Sequence, residues 1–305
     1  MTLMLLDAAG LYFRAFHGIP TSVTAPDGSP INAVRGYLDM TATLITRRRP
    51  TRLVSCQDVS WRPQFRVDLL PSYKAHRVAS GDDEIVPAEL VPQIPVLFEV
   101  LDAIGLARAG ARGFEADDVL ATLAAGDDDV VEIVSGDRDL FSTVTDRVHL
   151  LYVGRGVSKL QDFGPAEVLE RYGIPAANYA DFAALRGDPS DGLPGVPGVG
   201  DKTAAVLVRR FGAVEAMLTA AQESEDGFPS GARGRILAAA DYLSRAPGVV
   251  RVRTDAPLDP IADALPTTVN EPDRLVRLCD RYGIDSSVNR LLTAIGMTGP
   301  AGPAG

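Results

Sequence analysis

Nine acidic residues fall in five short segments of this 305-residue chain: Asp7; Asp58; Glu115, Asp117 and Asp118; Asp137 and Asp139; Asp188 and Asp191. Taken singly, each segment has a plain structural role. A strand-end aspartate caps a helix or forms a turn, and acids opening a helix gain about 0.3–1 kcal/mol from its dipole. Taken together, they are candidates for one site. The set holds carboxylates only, which suits hard cations such as Mg²⁺ or Mn²⁺ and does not suit zinc. Two such ions about 3.5–4 Å apart can bridge a scissile phosphate, activate water and stabilise the leaving oxygen. Without metal the same cluster would repel itself, so folding alone would not favour it. The chemistry implied is phosphodiester hydrolysis.

Such a site needs elements that aim the acids at one place. Short β-branched or leucine-rich runs at Leu3–Leu6, Arg52–Cys56, Val130–Val134 and Val148–Val153 have the length and flanks of buried strands. Asp7, Asp58 and Asp137 follow the first three. Helical periodicity lies between them, at Ala33–Thr46, Val91–Ile104 and Glu115–Ala125. The alternation predicts an α/β fold with a mainly parallel, twisted central sheet flanked by helices. Ligands of such sheets bind outside the carboxyl ends of the strands, where these aspartates would converge.

Composition sets outer limits. A chain with 46% hydrophobic and 23% charged residues is an ordinary globular one. No window approaches the roughly 20 apolar residues of a membrane-spanning helix. The start, Met1 to Asp7, lacks the basic region of a signal peptide, so a cytoplasmic protein without membrane partners is expected. Cys56 and Cys279 are far apart and read as buried apolar fillers. The net charge of −10 argues against a polyanionic partner unless the carboxylates are gathered around metal, when bulk charge misreports the face that matters.

Two stretches break the pattern. Between about 57 and 92 the chain carries Trp61, Arg62, Arg66, Tyr73, Lys74, His76 and Arg77, then an acidic run from Ser80 to Glu84, and reads as an exposed, mobile insertion. After Asp191, the run from Gly192 to Gly200 is too rich in glycine and proline for helix or strand, and Asp201–Phe211 follows as a helix. We expect a nuclease-type core over 1–180 with the insertion at about 60–92, a helical region over 181–290, and a disordered tail at 298–305.

With these residues in view, the sequence resembles the 5′-nuclease family, meaning the 5′–3′ exonuclease domain of bacterial DNA polymerase I and its flap-endonuclease relatives. The matching stretches are Leu6-Asp7 with Tyr12 to His17, Ser72 to Arg77, Gly113 to Asp118, Ser135 to Leu140, and Gly187-Asp188 through Ala204. They keep the family's order over about residues 1–290. The resemblance implies that all nine acids are metal-site acids, with Asp7, Asp58, Glu115 and Asp117 around one ion and Asp137, Asp139, Asp188 and Asp191 around a second. It implies a helical arch on which Lys74 and Arg77 are catalytic and Tyr73 stacks on an unpaired base.

It also implies a helix-three-turn-helix at the glycine-rich turn. Gly195, Gly198, Gly200, Lys202 and Thr203 would there grip duplex DNA, with a monovalent cation such as K⁺ on the backbone carbonyls. The implied partners are DNA with a 5′ flap, nick or single-stranded 5′ end and RNA–DNA primers, met by a monomer in primer removal and repair. Two departures from the family pattern, Ala8-Ala9 after Asp7 and Arg138 between the paired aspartates, remove no ligand. With no polymerase region after Gly305, a freestanding nuclease is expected.

Other readings compete. Gly195 to Thr203 is nearly a P-loop, but Asp201 separates the last glycine from Lys202 and no strand precedes it. A noncatalytic DNA-binding module of the same fold would have no reason to keep nine mutually repelling acids. A metal-dependent ribonuclease with a similar sheet would separate from a DNA enzyme on RNA and DNA flaps.

Overall fold

The computed structural model describes residues 1–81 and 83–297; the expected disordered tail at 298–305 lies outside the described residues. Six strands form the central sheet: β1 (Thr2–Asp7), β2 (Arg52–Cys56), β5 (Ala107–Ala109), β6 (Val130–Ser135), β7 (Val148–Tyr152) and β8 (Gln161–Phe163). Their order is β5-β2-β1-β6-β7-β8, parallel throughout except for the antiparallel edge strand β8. The period-two alternation of β1 divides the core between the faces. Leu3 and Leu5 join one hydrophobic cluster, and Met4 and Leu6 join the other.

Helices cover both faces. Those before the glycine-rich turn are α1 (Ala8–Gly18), α2 (Asn32–Arg48), α3 (Gln64–Leu69), α4 (Gln93–Ile104), α5 (Ala116–Ala125), α6 (Pro165–Tyr172) and α7 (Tyr179–Arg186). Those after it are α8 (Asp201–Phe211), α9 (Val214–Gln222), α10 (Ala232–Ala238), α11 (Ala240–Leu243), α12 (Ala246–Val250), α13 (Pro272–Tyr282) and α14 (Asp285–Ile295). α14 packs on α2, so the end of the described chain closes one face of the sheet begun by its start. α7 packs on both α8 and α12. Among the described residues, no helix is long and apolar enough to cross a membrane.

The expected insertion takes a form the sequence did not convey. The expected helical arch is occupied by the six-residue α3, a 3-10 turn at Ala75–Arg77, and an antiparallel ribbon of β3 (Val78–Ser80) and β4 (Asp83–Glu84). Arg66 and Tyr73 are buried, and Lys74 is largely so. The first part of the segment is therefore pinned against the sheet ends and is not a free surface loop. The reason is electrostatic: its cations face the strand-end carboxylates.

Candidate active site

The site begins where β1 ends. Asp7 is the last residue of β1 and caps α1, its Oδ1 accepting from the Gly10 amide at 2.8 Å. A Cβ on Gly10 would lie 2.2 Å from Asp7 Oδ2, so only glycine lets the helix start this close to the carboxylate. The neighbouring strand adds the next acids. Ser135, at the end of β6, donates its hydroxyl to Asp7 Oδ2 at 2.7 Å and accepts the Asp137 amide at 2.9 Å. Asp137 Oδ1 accepts the Asp139 amide at 2.8 Å. A hydrogen-bonded chain thus fixes three acids across two parallel strands.

Asp58, beyond β2, accepts from the Ala116 amide at 2.7 Å and so anchors the first turn of α5 beside the strand ends. Glu115 is the N-cap of that helix, in a reciprocal capping box with Asp118, whose Oδ2 accepts the Glu115 amide at 3.1 Å. Successive helical residues point about 100° apart, so Asp117 and Asp118 leave α5 in different directions. Asp117 lines the cavity and Asp118 does not. Asp118 is fully buried, pairs with Arg66 at 2.6 Å and accepts the Arg253 amide at 2.8 Å. Asp118, expected among the metal-site acids, here packs α3 and the chain after α12 onto α5 through these bonds.

The resulting cavity, about 280 Å³, opens at the carboxyl ends of β1, β2 and β6. Asp7, Asp58, Glu115, Asp117 and Asp137 line it, together with Lys74 and Arg77. Asp139, Asp188 and Asp191 do not line it but adjoin it. Asp139 is repelled by Asp137, Asp191 and Asp188, and Asp191 by Asp137. Asp188 is engaged locally, taking Ser190's amide at 3.0 Å and Arg138 at 3.2 Å. Asp191 pairs with Arg77 at 3.1 Å. Among the described residues, no three histidines, cysteines or acids close on one point tightly enough to hold an ion as they stand. Basic side chains bind the acids instead.

Lys74 is the central cation. Its Nζ pairs with Glu115 Oε1, its backbone is left-handed with φ +48°, and its amide donates to the Asp191 carbonyl at 3.0 Å. Glu115 Oε2 accepts from Arg66 at 2.7 Å and from the Tyr73 hydroxyl at 2.6 Å. Tyr73, expected to stack on a base, is 3% exposed in this structure, with its hydroxyl donated to Glu115.

The electrostatics follow from this crowding. Burial first, then Asp137 among its neighbours, raises the Asp7 carboxyl above the ordinary aspartate range. Asp117 and Asp139 are pushed well up by burial and then by Asp137. Burial raises Asp191 to about 6, against the pull of Lys74. Burial alone would lower Lys74, but Glu115 beside it reverses the sign and holds the ammonium well above its usual value. Carboxylates in this condition take up protons or cations readily. The cavity-lining set offers several carboxylate oxygens and no imidazole or thiol, a donor chemistry that fits a hard divalent cation.

Arg14, Glu84 and Trp61 also line the cavity and were not among the site residues expected from the sequence. Arg14 stands two helical turns from Asp7 on α1, so period 3.6 could have placed it there. Its Nη2 donates to the Gly154 carbonyl at 3.4 Å. Glu84 arrives through the β3–β4 ribbon, and Trp61 through the irregular stretch after β2; neither carries a periodic signal.

No residue of the glycine-rich turn lines this cavity. Gly195 has φ +66° and Gly198 φ +76°, whereas Gly200 is an ordinary extended N-cap of α8. Lys202 is exposed and Thr203 half-buried in the first turn of that helix. The Gly195 amide donates to the Tyr242 hydroxyl at 3.3 Å, and the Gly198 carbonyl accepts from Arg235 at 3.0 Å.

Comparison with known proteins adds a second line of observation. The family profile described as 5′-3′ exonuclease, N-terminal resolvase-like domain, matches residues 2–173, and that described as 5′-3′ exonuclease, C-terminal SAM fold, matches residues 174–274. A 5′-3′ exonuclease of Mycobacterium tuberculosis is 53% identical over 309 residues, covering 96% of this chain and 97% of that protein. The DNA polymerase I of Mycobacterium leprae is 38% identical over 311 residues, covering 99% of this chain and 32% of the polymerase. The bacteriophage T5 flap endonuclease, solved in a complex with DNA and metal ions, shares the fold with a TM-score of 0.65 at 18% identity. That alignment covers 97% of this chain and all of the phage protein.

Proposed function

The chain belongs to the 5′-3′ exonuclease family and is a nuclease, and from that premise we propose that it hydrolyses DNA phosphodiesters where a 5′ single strand meets duplex. It acts in this reading as flap endonuclease and 5′–3′ exonuclease, leaving a 5′-phosphate and a 3′-hydroxyl. One observation carries the assignment of the site: six carboxylates, Glu84 among them, and the cations Lys74, Arg77 and Arg14 share one cavity at the carboxyl ends of parallel strands.

Asp7, Asp58, Glu115, Asp117 and Asp137 would hold Mg²⁺ or Mn²⁺ at the cavity, with Asp139, Asp188 and Asp191 beside them. Bound there, such ions supply a Lewis acid for the phosphate and a water acidic enough to attack. The chain's own groups do the rest. Lys74 and Arg77 face the same cavity and place positive charge where the phosphorus gains negative charge, stabilisation that needs no reorganisation. Ser135 and the Gly10 amide hold Asp7 in place, while Arg66 and Tyr73 orient Glu115.

We also propose the division of labour near residue 180. The part before it carries the chemistry, and the part after it grips duplex through the turn at Gly195, Gly198 and Gly200 and the start of α8 at Lys202 and Thr203. Unpaired amides at a helix start suit a phosphate. The K⁺ expected at this turn belongs to the proposal with one restriction. Gly198's carbonyl already accepts from Arg235, whose positive charge beside that oxygen would oppose a cation there and favour the turn's other carbonyls.

The test is cleavage of 5′-labelled DNA and RNA flaps with Mg²⁺ or Mn²⁺, with chelator as control. Metal-dependent release of the DNA flap is the expected result. Binding of the flap without cutting under any divalent metal would sink the enzymatic reading, and preference for the RNA flap would reassign the substrate.

A further inference from the structure

Trp61 is the chain's single tryptophan, and it lines the cavity wall formed by the stretch between β2 and α3. Lys74 and Arg77 line the same cavity, so an aromatic side chain and two phosphate-attracting cations border one space. Both chain neighbours of the ring are held. The Ser60 amide donates to the Phe114 carbonyl at 3.2 Å, and the Arg62 guanidinium donates to the carbonyls of Tyr73 at 2.6 Å and Pro71 at 2.8 Å. The ring is therefore presented from an anchored strand of chain. Tyr73 cannot serve as the aromatic platform, since it is buried on Glu115.

We propose that Trp61 is a substrate-binding residue on whose ring an unpaired nucleobase stacks, next to the phosphate drawn in by Lys74 and Arg77. The proposal rests on the 5′-nuclease reading above and adds the contact that would seat the nucleotide beside the cut. Stacking uses the π-face that every base has, so this contact is indifferent to sequence while still requiring a base. It separates a single strand, whose bases can splay onto the ring, from duplex, whose bases are already stacked.

A lone tryptophan makes the test direct. With chelator present to stop cleavage, emission from Trp61 is followed as a 5′ flap is added, and affinity is read independently from the anisotropy of labelled DNA. Stacking predicts quenching on binding. An abasic residue moved step by step through the nucleotides around the junction removes the quenching at one position and weakens binding there. Trp61→Ala raises Kd and KM about 5- to 150-fold, the range of one base–aromatic stack. Trp61→Phe recovers most of that loss and Trp61→Leu does not, a contrast that packing alone would not give. Flap that binds and is cut while emission stays unchanged, or abasic flaps that quench and bind like intact ones at every position, would overturn the role of Trp61 and leave the nuclease reading standing. A chain that neither binds nor cuts 5′-ended DNA would overturn both.

Discussion

Arg66 donates to Glu115 Oε2 at 2.7 Å from a position only 2% exposed, and the same guanidinium holds Asp118 at 2.6 Å and the Val249 carbonyl at 2.9 Å. One buried side chain thereby joins α3, the start of α5 and the end of α12. Removing it leaves Asp118 buried without its counter-charge and Glu115 with Lys74 as its remaining cation. Arg66→Met is expected to cost about 3–5 kcal/mol, read from the urea midpoint. Arg66→Lys recovers little, because a single ammonium cannot reproduce the planar fork. A loss below about 1 kcal/mol would show that the network can relax without Arg66.

Tyr73→Phe separates two roles for one ring. The hydroxyl's bond to Glu115 at 2.6 Å is lost, at a cost of about 1.5–3 kcal/mol for a hydrogen bond to a charged group. Affinity for single-stranded DNA is expected to stay at the wild-type level, since the buried ring is not available for stacking. A fall in affinity without a fall in stability would return Tyr73 to the DNA surface.

The central sheet was legible in the sequence because buried parallel strands are written as short apolar runs. Arg52–Cys56 and α8 at Asp201–Phe211 coincide with their predicted bounds. The strand-end acids were legible for the same reason: Asp7 and Asp137 sit where parallel strands stop. What could not be read was direction. Asp117 and Asp118 are adjacent letters, yet one lines the cavity and the other is sealed beneath α3 by Arg66. Burial of Tyr73 and Lys74 depends on long-range pairing with Glu115, 42 and 41 residues away, and no local pattern carries that information.

Asp139 offers a clean separation of function from folding. Its charge is disfavoured by burial and by Asp137, Asp191 and Asp188. Asp139→Asn is therefore expected to abolish turnover while raising the melting temperature of the metal-free protein by a few degrees, of the order of 2–4 °C per kcal/mol. Near-normal cleavage by this variant would remove Asp139 from the site. A lower melting temperature would mean that its carboxylate serves packing.

The raised carboxyls also fix the sign of a pH dependence. Asp191 moves from an ordinary 3.8 to about 6, so between these values the folded, metal-free protein holds a proton that the unfolded chain has lost. This contribution to stability is complete below about pH 4 and is lost as pH rises through about 6. Asp7 and Asp117 shift in the same direction. The urea midpoint of the metal-free protein should fall across that window, and added Mg²⁺ should flatten the fall. Titrating Mg²⁺ at about pH 5.5 in buffers of different ionisation enthalpy should reveal proton release. Zero release would mean that the cation meets carboxylates already ionised.

Two glycines of the same turn should answer differently to a side chain. Gly195 has φ +66°, and a Cβ there would stand 2.5 Å from the Arg186 carbonyl oxygen, which is backbone and cannot move aside cheaply. Left-handed strain alone costs an alanine about 1–2 kcal/mol. Gly195→Ala should accordingly lower stability by more than that and weaken DNA binding with it. Gly200 has φ −98° and open space where a Cβ would go. Serine is favoured over glycine at a helix N-cap, so Gly200→Ser should fold at least as well as wild type. If a phosphate approaches the first turn of α8 closely, the new side chain stands in its path, and DNA affinity should fall at every salt concentration with an unchanged urea midpoint. Gly200→Ser that binds duplex as tightly as the wild type would take Gly200 out of the DNA contact and leave Lys202 and Thr203 to carry it.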